Sequence, residues 1–294
     1  MTTARLTELL KILDLERIED NLFRGDSRDV GAPQVFGGQV LGQALVAASR
    51  TVEGRQVHSL HAYFLRRGDL EVPIVFEVDR SRDGGSFTSR RVAAVQHGQP
   101  ILTMSASFQV TEPGLDHQAA MPEAPPPESL RDLREIAAEV IERMPDKASG
   151  YFRSEGPFEF RGVNPADYLT REKRPPRKLI WFRLNGPLPE DQALHRCLLA
   201  YVSDFHLLAT ATMPHGVNFL ELQAASIDHA IWFHRDLRAD EWMLYATDSP
   251  SASGARGFSR GSIYARDGAL VASVAQEGLI REHGGWTRPA GQQV

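Results

Sequence analysis

Cysteine is almost missing from this chain of 294 residues: Cys197 stands alone. One thiol cannot close an intrachain disulfide, which fits a reducing compartment, and it rules out Cys-based metal clusters. Its neighbours Leu194, Leu198, Leu199 and Val202 predict a buried, inert core thiol. Long apolar runs are missing too. None reaches the ~18 residues expected of a membrane-spanning helix. The N-terminus has no basic stretch followed by an apolar block, so no secretory leader is expected. The last residues, Gly-Gln-Gln-Val, are not a peroxisomal tripeptide, which leaves the cytoplasm as the expected location. Nor is there a basic excess. Thirty-three Lys and Arg against 38 Asp and Glu give a net charge of −5, and the pI of 6.1 argues against nucleic-acid binding.

Several signatures of chemistry are absent as well. No His-Glu-x-x-His spacing offers a metal site, and no Gly-x-Ser-x-Gly offers a serine-hydrolase elbow. Gly25 with Gly31, and the Gly37-Gly38 pair, match neither a P-loop nor a dinucleotide fingerprint. No metal or redox cofactor is expected.

What the chain does have is apolar material for a core, at 42% hydrophobic content, and room for one large or two medium domains. It also repeats itself. His61-Ala62-Tyr63-Phe64-Leu65-Arg66-Arg67 reads like His229-Ala230-Ile231-Trp232-Phe233-His234-Arg235, an offset of 168 (229 − 61). Gly98-Gln99-Pro100-Ile101-Leu102 likewise matches Gly268-Ala269-Leu270-Val271-Ala272 at 168 to 170. Residues shared by two copies serve the scaffold. Polar residues present in only one are candidates for chemistry.

The first copy reads as an amphipathic helix over 4–16, a strand at 21–25, a Gly- and Ala-rich helix over 35–48, and strands near 56–67, 72–82, 86–96 and 100–110. Glu112-Pro113-Gly114 and Pro125-Pro126-Pro127 mark a linker without a core of its own, followed by a polar helix over 129–143. The second copy opens with Phe158-Glu159-Phe160-Arg161-Gly162, an echo of Phe23-Arg24-Gly25. A basic insertion follows, with Arg171, Lys173, Arg174, Arg177 and Lys178. A helix starts near Pro189-Glu190-Asp191, with Leu194, Cys197, Leu198, Tyr201, Val202 and Phe205 on its buried stripe. Strands return near 218–235, 241–249, 254–266 and 269–282. The expected division is a first repeat at 1–112, a linker at 113–150, and a second repeat at 151–294. The fold class is α+β: in each copy a curved antiparallel sheet wraps one long helix. This is the hot-dog arrangement, doubled so that two sheets join edge to edge.

Three polar residues of the second copy, Asp204, Ser226 and Gln276, are candidates for chemistry. Asp204 lies beside the apolar helix stripe near its C-terminal end, where an anion is disfavoured; its counterparts, around Val46 to Ala48, are small and apolar. Ser226 lies in a strand, opposite His58 in the repeat. Gln276 lies among Leu270, Val271, Val274 and Ala275, opposite residues between Ala106 and Phe108. Each also has a plain structural explanation: a partly exposed acid, an ordinary strand serine, a solvent-facing amide. Together they offer an acid to take a proton from water and two polar groups to hold that water. Asp228 shares a face with Ser226 under strict alternation and is a reserve acid. His229 recurs as His61 and so reads as scaffold.

Val35-Phe36-Gly37-Gly38-Gln39-Val40-Leu41-Gly42-Gln43-Ala44-Leu45, Tyr201-Val202-Ser203-Asp204-Phe205, and Ile227-Asp228-His229-Ala230-Ile231-Trp232-Phe233-His234-Arg235 strongly resemble the type II acyl-CoA thioesterases, the TesB-like family. So do Ser251-Ala252-Ser253-Gly254-Ala255-Arg256-Gly257-Phe258 and the run from Gly268 to Gly278, and the likeness spans about residues 8–283. The resemblance implies a double hot-dog that hydrolyses acyl-CoA to fatty acid and coenzyme A. It implies an Asp, a Thr or Ser, and a Gln at the site, falling here on Asp204, Ser226 and Gln276. The family commonly has Thr in the middle place; Ser keeps the hydroxyl with looser rotamer control. Gly37 and Gly38, at a helix start, are candidates for donors to the oxyanion. Phe64, Phe108, Trp232 and Phe233 are candidates for the acyl tunnel, with plain core as the alternative. Arg256 and Arg260 are candidates for the coenzyme phosphates, with solvated surface as the alternative. A homodimer or dimer of dimers is expected. A hot-dog hydratase or dehydratase using His229 beside Asp228, and a non-catalytic acyl-CoA binding protein, remain as rival readings.

Overall fold

The computed structural model describes residues 4–31, 34–136, 156–165, 167, 172–217 and 222–282. The first half contributes α1 (Ala4–Leu13), β1 (Glu16–Glu19), β2 (Leu22–Gly25), α2 (Gly37–Ser49), β3 (Gln56–Phe64), β4 (Ile74–Asp83), β5 (Phe87–Gln96) and β6 (Gln99–Gln109). The second contributes β7 (Phe158–Gly162), β8 (Arg177–Leu184), α3 (Gln192–Ser203), a 3-10 segment Leu208–His215, β9 (Leu222–Ser226), β10 (Asp228–Phe233), β11 (Met243–Ser253), β12 (Arg256–Ala265) and β13 (Leu270–Glu282). All paired strands are antiparallel and join in one sheet, in the order β1-β2-β4-β5-β6-β3-β10-β13-β12-β11-β8-β7, with β9 on the end of β13. The order is mirrored about the β3–β10 junction, where His61 stands opposite Ala230. This is a double hot-dog, and the junction uses up the strand edge that each half would otherwise expose.

The two long helices fill the concave face. In α2, Gly38 through Ala48 are all buried, as expected of a helix without a polar side. A Cβ on Gly38 would come within 2.2 Å of Tyr201 O, and one on Gly42 within 3.2 Å of Cys197 O. The small residues of α2 therefore lie directly on the backbone of α3, with the helices running in opposite senses. The start of α2 consequently meets the end of α3. Leu41, Leu45, Leu198, Leu199, Phe76 and Ile231 belong to one continuous core.

The described part of the linker, residues 113–136, packs against the second half. Met121, Ala124 and Leu130 pack on Trp181, Trp242, Leu244 and Tyr264, and Trp181 Nε1 donates to Pro125 O at 2.8 Å. Gln118 donates to Gly268 O and accepts from Leu270 N. The segment expected to lack a core of its own borrows one from the outer face of the second half. Of the polar helix expected over 129–143, residues from 137 lie outside the described residues, as does Arg171 of the basic insertion.

Three expectations need correction. The helix read over 4–16 stops at Leu13, because residues 16–19 pair with β2 as an exposed edge strand. The segment read as a basic insertion contains β8, which pairs with β11, so β8 takes the place that β2 takes beside β4. Phe158–Gly162 then matches β1 rather than Phe23–Gly25. Lys178 hid this strand; it is buried, its Nζ donates to His206 O at 3.0 Å, and burial pulls its pKa down to about 8. Finally, the run read as one strand over 218–235 breaks at Ile227 into β9 and β10; residues 218–221 lie outside the described residues.

The repeat offset also shifts by one. His229 is wholly buried whereas His61 is exposed, so they are not equivalent. Phe87 to Ala94 and Arg256 to Ile263 follow the same burial pattern at an offset of 169 (256 − 87). A one-residue slip turns every side chain of a strand to the other face. At 169, His229 corresponds to Leu60, Trp232 to Tyr63, Phe233 to Phe64 and Ser226 to Val57.

Candidate functional site

Asp204 caps the C-terminus of α3. Ser226 ends β9, paired with Gly278 on β13, and Gln276 lies two residues away on the same strand. These positions close a triangle. Ser226 Oγ donates to Asp204 Oδ1 at 3.1 Å, Gln276 Nε2 donates to the same oxygen at 2.6 Å, and Gln276 Nε2 also donates to Ser226 Oγ at 2.8 Å. Gln276 is fully buried, and Asp204 is half-buried. Both amide hydrogens of Gln276 are therefore spent on one oxygen of the carboxylate and on the hydroxyl beside it.

The other oxygen, Asp204 Oδ2, faces the start of α2. A Cβ on Gly37 would lie 2.8 Å from it and 3.0 Å from Phe64 Cε1. Gly37, Gly38, Phe64 and Asp204 thus share one end of the helix pair. The residue before Gly37, Phe36, provides no side-chain cap, whereas Asp191 caps α3 by accepting from Ala193 N and Leu194 N. Phe36 instead packs on Phe205, ring centroids 4.4 Å apart, and on Tyr201 at 5.3 Å. An uncapped helix start leaves backbone N–H groups and the positive end of the dipole directed at this place.

Buried ionisable groups surround the carboxylate. Burial pushes Tyr201 up to about 12 and drives Tyr245 well above the usual phenol value, in both cases with a smaller push from the Asp204 charge. Burial pulls His229 down to about 4 against the opposing pull of Asp204, so its ring is neutral near pH 7. Asp228, the reserve acid, is not in the triangle. Its Oδ1 accepts from Glu277 N at 2.6 Å, and burial raises its pKa. Strict alternation put it beside Ser226, but the break at Ile227 ends that alternation.

The other sequence candidates scatter. Trp232 is on the outer face, 39% exposed and edge-on to His61 at 5.1 Å, so it cannot line an interior tunnel from there. Phe108 is buried opposite Val57, and Phe233 is buried under the Arg196 guanidinium at 6.0 Å. Arg256 and Arg260 are exposed and already paired, Arg256 with Glu277 at 2.9 Å and Arg260 with Asp248 at 2.6 Å. Sequence reasoning gave no role to Phe36, Ser203 or Tyr245, and kept His229 only as scaffold or in the rival hydratase reading. Only His229 carried a usable signal, and the slipped offset masked it.

The acyl-CoA thioesterase family profile matches residues 157–279, and that of the acyl-CoA thioesterase N-terminal domain matches residues 25–109. The chain belongs to the type II acyl-CoA thioesterase family. It is 43% identical over 279 residues to acyl-CoA thioesterase 2 of Haemophilus influenzae, covering 94% of this chain and 98% of that one. It is 42% identical to human acyl-coenzyme A thioesterase 8, covering 92% and 88%. The crystal structure of acyl-CoA thioesterase II TesB2 from Mycobacterium marinum superposes with a TM-score of 0.78 at 45% identity, covering 95% of this chain and all of that one.

Proposed function

We propose that this protein hydrolyses fatty acyl-CoA to free fatty acid and coenzyme A, with Asp204 as general base. The observation that carries this reading is the closed triangle with one oxygen left over. Ser226 and Gln276 fix Oδ1 of Asp204, and Oδ2, beside Gly37, is left to take a proton from water. The water oxygen bonds to the thioester carbonyl carbon, and the tetrahedral intermediate then expels the coenzyme thiolate as the C–S bond breaks. The proton held by Asp204 returns to the thiolate or to solvent. Ser226 and Gln276 orient the carboxylate, and reach the same water by exchanging one of these hydrogen bonds for it. Backbone N–H groups of Gly37 and Gly38 are the oxyanion donors in this reading, a role worth about 10²–10³-fold per donor. Phe64 is the first wall of the acyl site. Arg256 and Arg260 reach the coenzyme phosphates by exchanging their carboxylate partners. Water, a base and amide donors suffice without a cofactor.

The hydratase reading needs a histidine at the substrate. His229 is wholly buried, with its Nε2 2.9 Å from Ser203 Oγ, which counts against it. We read residues 1–112 and 151–294 as the two repeats, joined by 113–150. The lone buried thiol supports a cytoplasmic setting. Exposed Tyr63 and Trp232 near the sheet centre support a homodimer or dimer of dimers, which light scattering tests.

The deciding experiment is thiol release from acyl-CoA by wild type and by Asp204→Asn. The variant is expected to lose about 10²–10⁴-fold in kcat while remaining folded. Wild-type-like turnover would remove the base assignment. Gln276→Ala should lose rate but still bind acyl-CoA. Tight binding by wild type with no thiol released would make the protein a binding module, and loss of enoyl absorbance would make it a hydratase.

A further inference from the structure

Asp204 is held from two directions. Ser226 and Gln276 grip its side chain, and a second set of buried polar groups grips the backbone just before it. Tyr245 Oη donates to Ser203 O at 2.9 Å. Ser203 Oγ lies 3.0 Å from Ala200 O, to which it donates, and 2.9 Å from His229 Nε2. A hydroxyl has one proton. With that proton on Ala200 O, Ser203 Oγ accepts from His229, so the histidine carries its hydrogen on Nε2. Ser203, His229 and Tyr245 are all nearly or wholly buried, at 1%, 0% and 2% exposure.

Among the described residues, the first half has no such set at the corresponding positions. At the offset of 169, His229 (229 − 169) corresponds to Leu60 and Tyr245 (245 − 169) to Phe76, both wholly buried hydrocarbon. Pairing supports the second match: Tyr245 stands opposite Ile263 on β12, as Phe76 stands opposite Ala94 on β5. The fold therefore packs well with hydrocarbon at both positions. A buried imidazole and a buried phenol each carry a desolvation cost that hydrocarbon would not. The last carbonyls of a helix lack intrahelical donors, so Tyr245 supplies Ser203 O with a donor that α3 cannot. The ring that delivers it is fixed against Gly261, where a Cβ would meet Tyr245 Cε2 at 2.2 Å.

We propose that His229 and Tyr245 are positioning residues: through Ser203 they fix the C-terminus of α3 and thereby aim the Asp204 carboxylate at the start of α2. The inference rests on Asp204 being the base. It assigns the two polar rings found only in the second half to orientation of that base, without contact with substrate.

The test uses Tyr245→Phe, His229→Leu and His229→Gln, with kcat and KM from thiol release and thermal melting alongside. Tyr245→Phe removes one oxygen and reproduces the Phe76 arrangement, so it is expected to fold. Its kcat is expected to fall about tenfold, with KM within twofold, because a misdirected base loses near-attack geometry while ground-state binding persists. His229→Leu is expected to fall at least as far. His229→Gln keeps an N–H donor of similar reach and should recover to within about threefold of wild type. Folded Tyr245→Phe and His229→Leu variants with kcat within twofold of wild type would overturn the proposal. So would a rise in KM at unchanged kcat, or a His229→Gln variant as slow as His229→Leu. Asp204→Asn separates the two levels: if it turns over normally the base assignment fails, and if it is inactive while the ring variants are unimpaired only the positioning assignment fails.

Discussion

Gly37 and Asp204 meet so closely that a single methyl group would fall 2.8 Å from the carboxylate oxygen Oδ2. Real side chains do not sustain that separation, so either the carboxylate or the start of α2 must move. Gly37 does not have a positive backbone φ, and alanine favours helix over glycine by up to about 1 kcal/mol. Gly37→Ala is therefore expected to keep or raise the melting temperature while lowering kcat by about 10²-fold, since a displacement near 1 Å is enough for such a loss. Melting curves and thiol-release kinetics on the same sample check both halves. Full activity would mean that Oδ2 has slack the present geometry does not suggest.

The divided legibility of the chain has a physical cause. Asp204 and Gln276 could be picked out because each stood as a polar residue against the repeat or against an apolar run, Ser226 was singled out chiefly by the family resemblance, and the three meet in space. His229 could not, because the His61 match placed the repeat one residue out of register, and period-two alternation then turned a buried ring into an apparent copy of an exposed one. The same slip set Trp232 against Phe64, although it matches Tyr63 on the outer face. Tyr245 was invisible for another reason: a tyrosine in an apolar strand reads as core until its hydroxyl partner is known. β8 was hidden by Arg177 and Lys178 at its start, although Ile180, Trp181 and Phe182 are all buried, Trp181 beneath the linker. The helix pairing that brings Gly37 to Asp204 is tertiary, and spacing alone does not encode it.

Arg90 explains why only one end of the helix pair carries the triangle. It stands opposite Ala106, as Ser259 stands opposite Gln276 in the second half. Although 2% exposed, it donates to Thr51 Oγ1 at 2.8 Å and Thr51 O at 3.0 Å, just beyond the end of α2, and pairs with Asp83 at 2.7 Å. Asp191 meanwhile caps the facing start of α3. Arg90→Met would leave the Thr51 carbonyl without this donor and is expected to cost about 2–4 kcal/mol, in the range for breaking a buried polar network. Its kcat should stay within twofold of wild type. Urea midpoints measure the first effect, and a loss below about 1 kcal/mol would show that Arg90 merely fills space.

Cys197 should stay silent in any thiol assay of the native enzyme. It is buried, and burial pushes its thiol up to about 12, leaving almost no thiolate at neutral pH. A disulfide reagent such as the one used to follow coenzyme A release is expected to modify native protein negligibly over an hour and one thiol per chain in urea. Fast native modification would contradict the packing of α2 on α3.

Acid should weaken the fold through two histidines. Burial holds His229 down to about 4 and His206 down to about 3, the latter with help from the Lys178 charge. In the unfolded chain each ring takes up a proton near pH 6.5, whereas the folded protein excludes it until the depressed value is reached. The unfolded state therefore binds more protons between these limits. Stability is full above about pH 6.5 and falls as the pH drops toward 4, at up to about 1.4 kcal/mol per pH unit for each ring. Urea unfolding at pH 7, 6 and 5 gives the slope for wild type. His229→Gln removes one titrating ring, so its slope over the same range should be shallower by about one proton. An identical slope would mean that the ring is already protonated in the folded state; its Nε2 would still donate to Ser203, but its Nδ1, unpartnered among the described residues, would then need an acceptor.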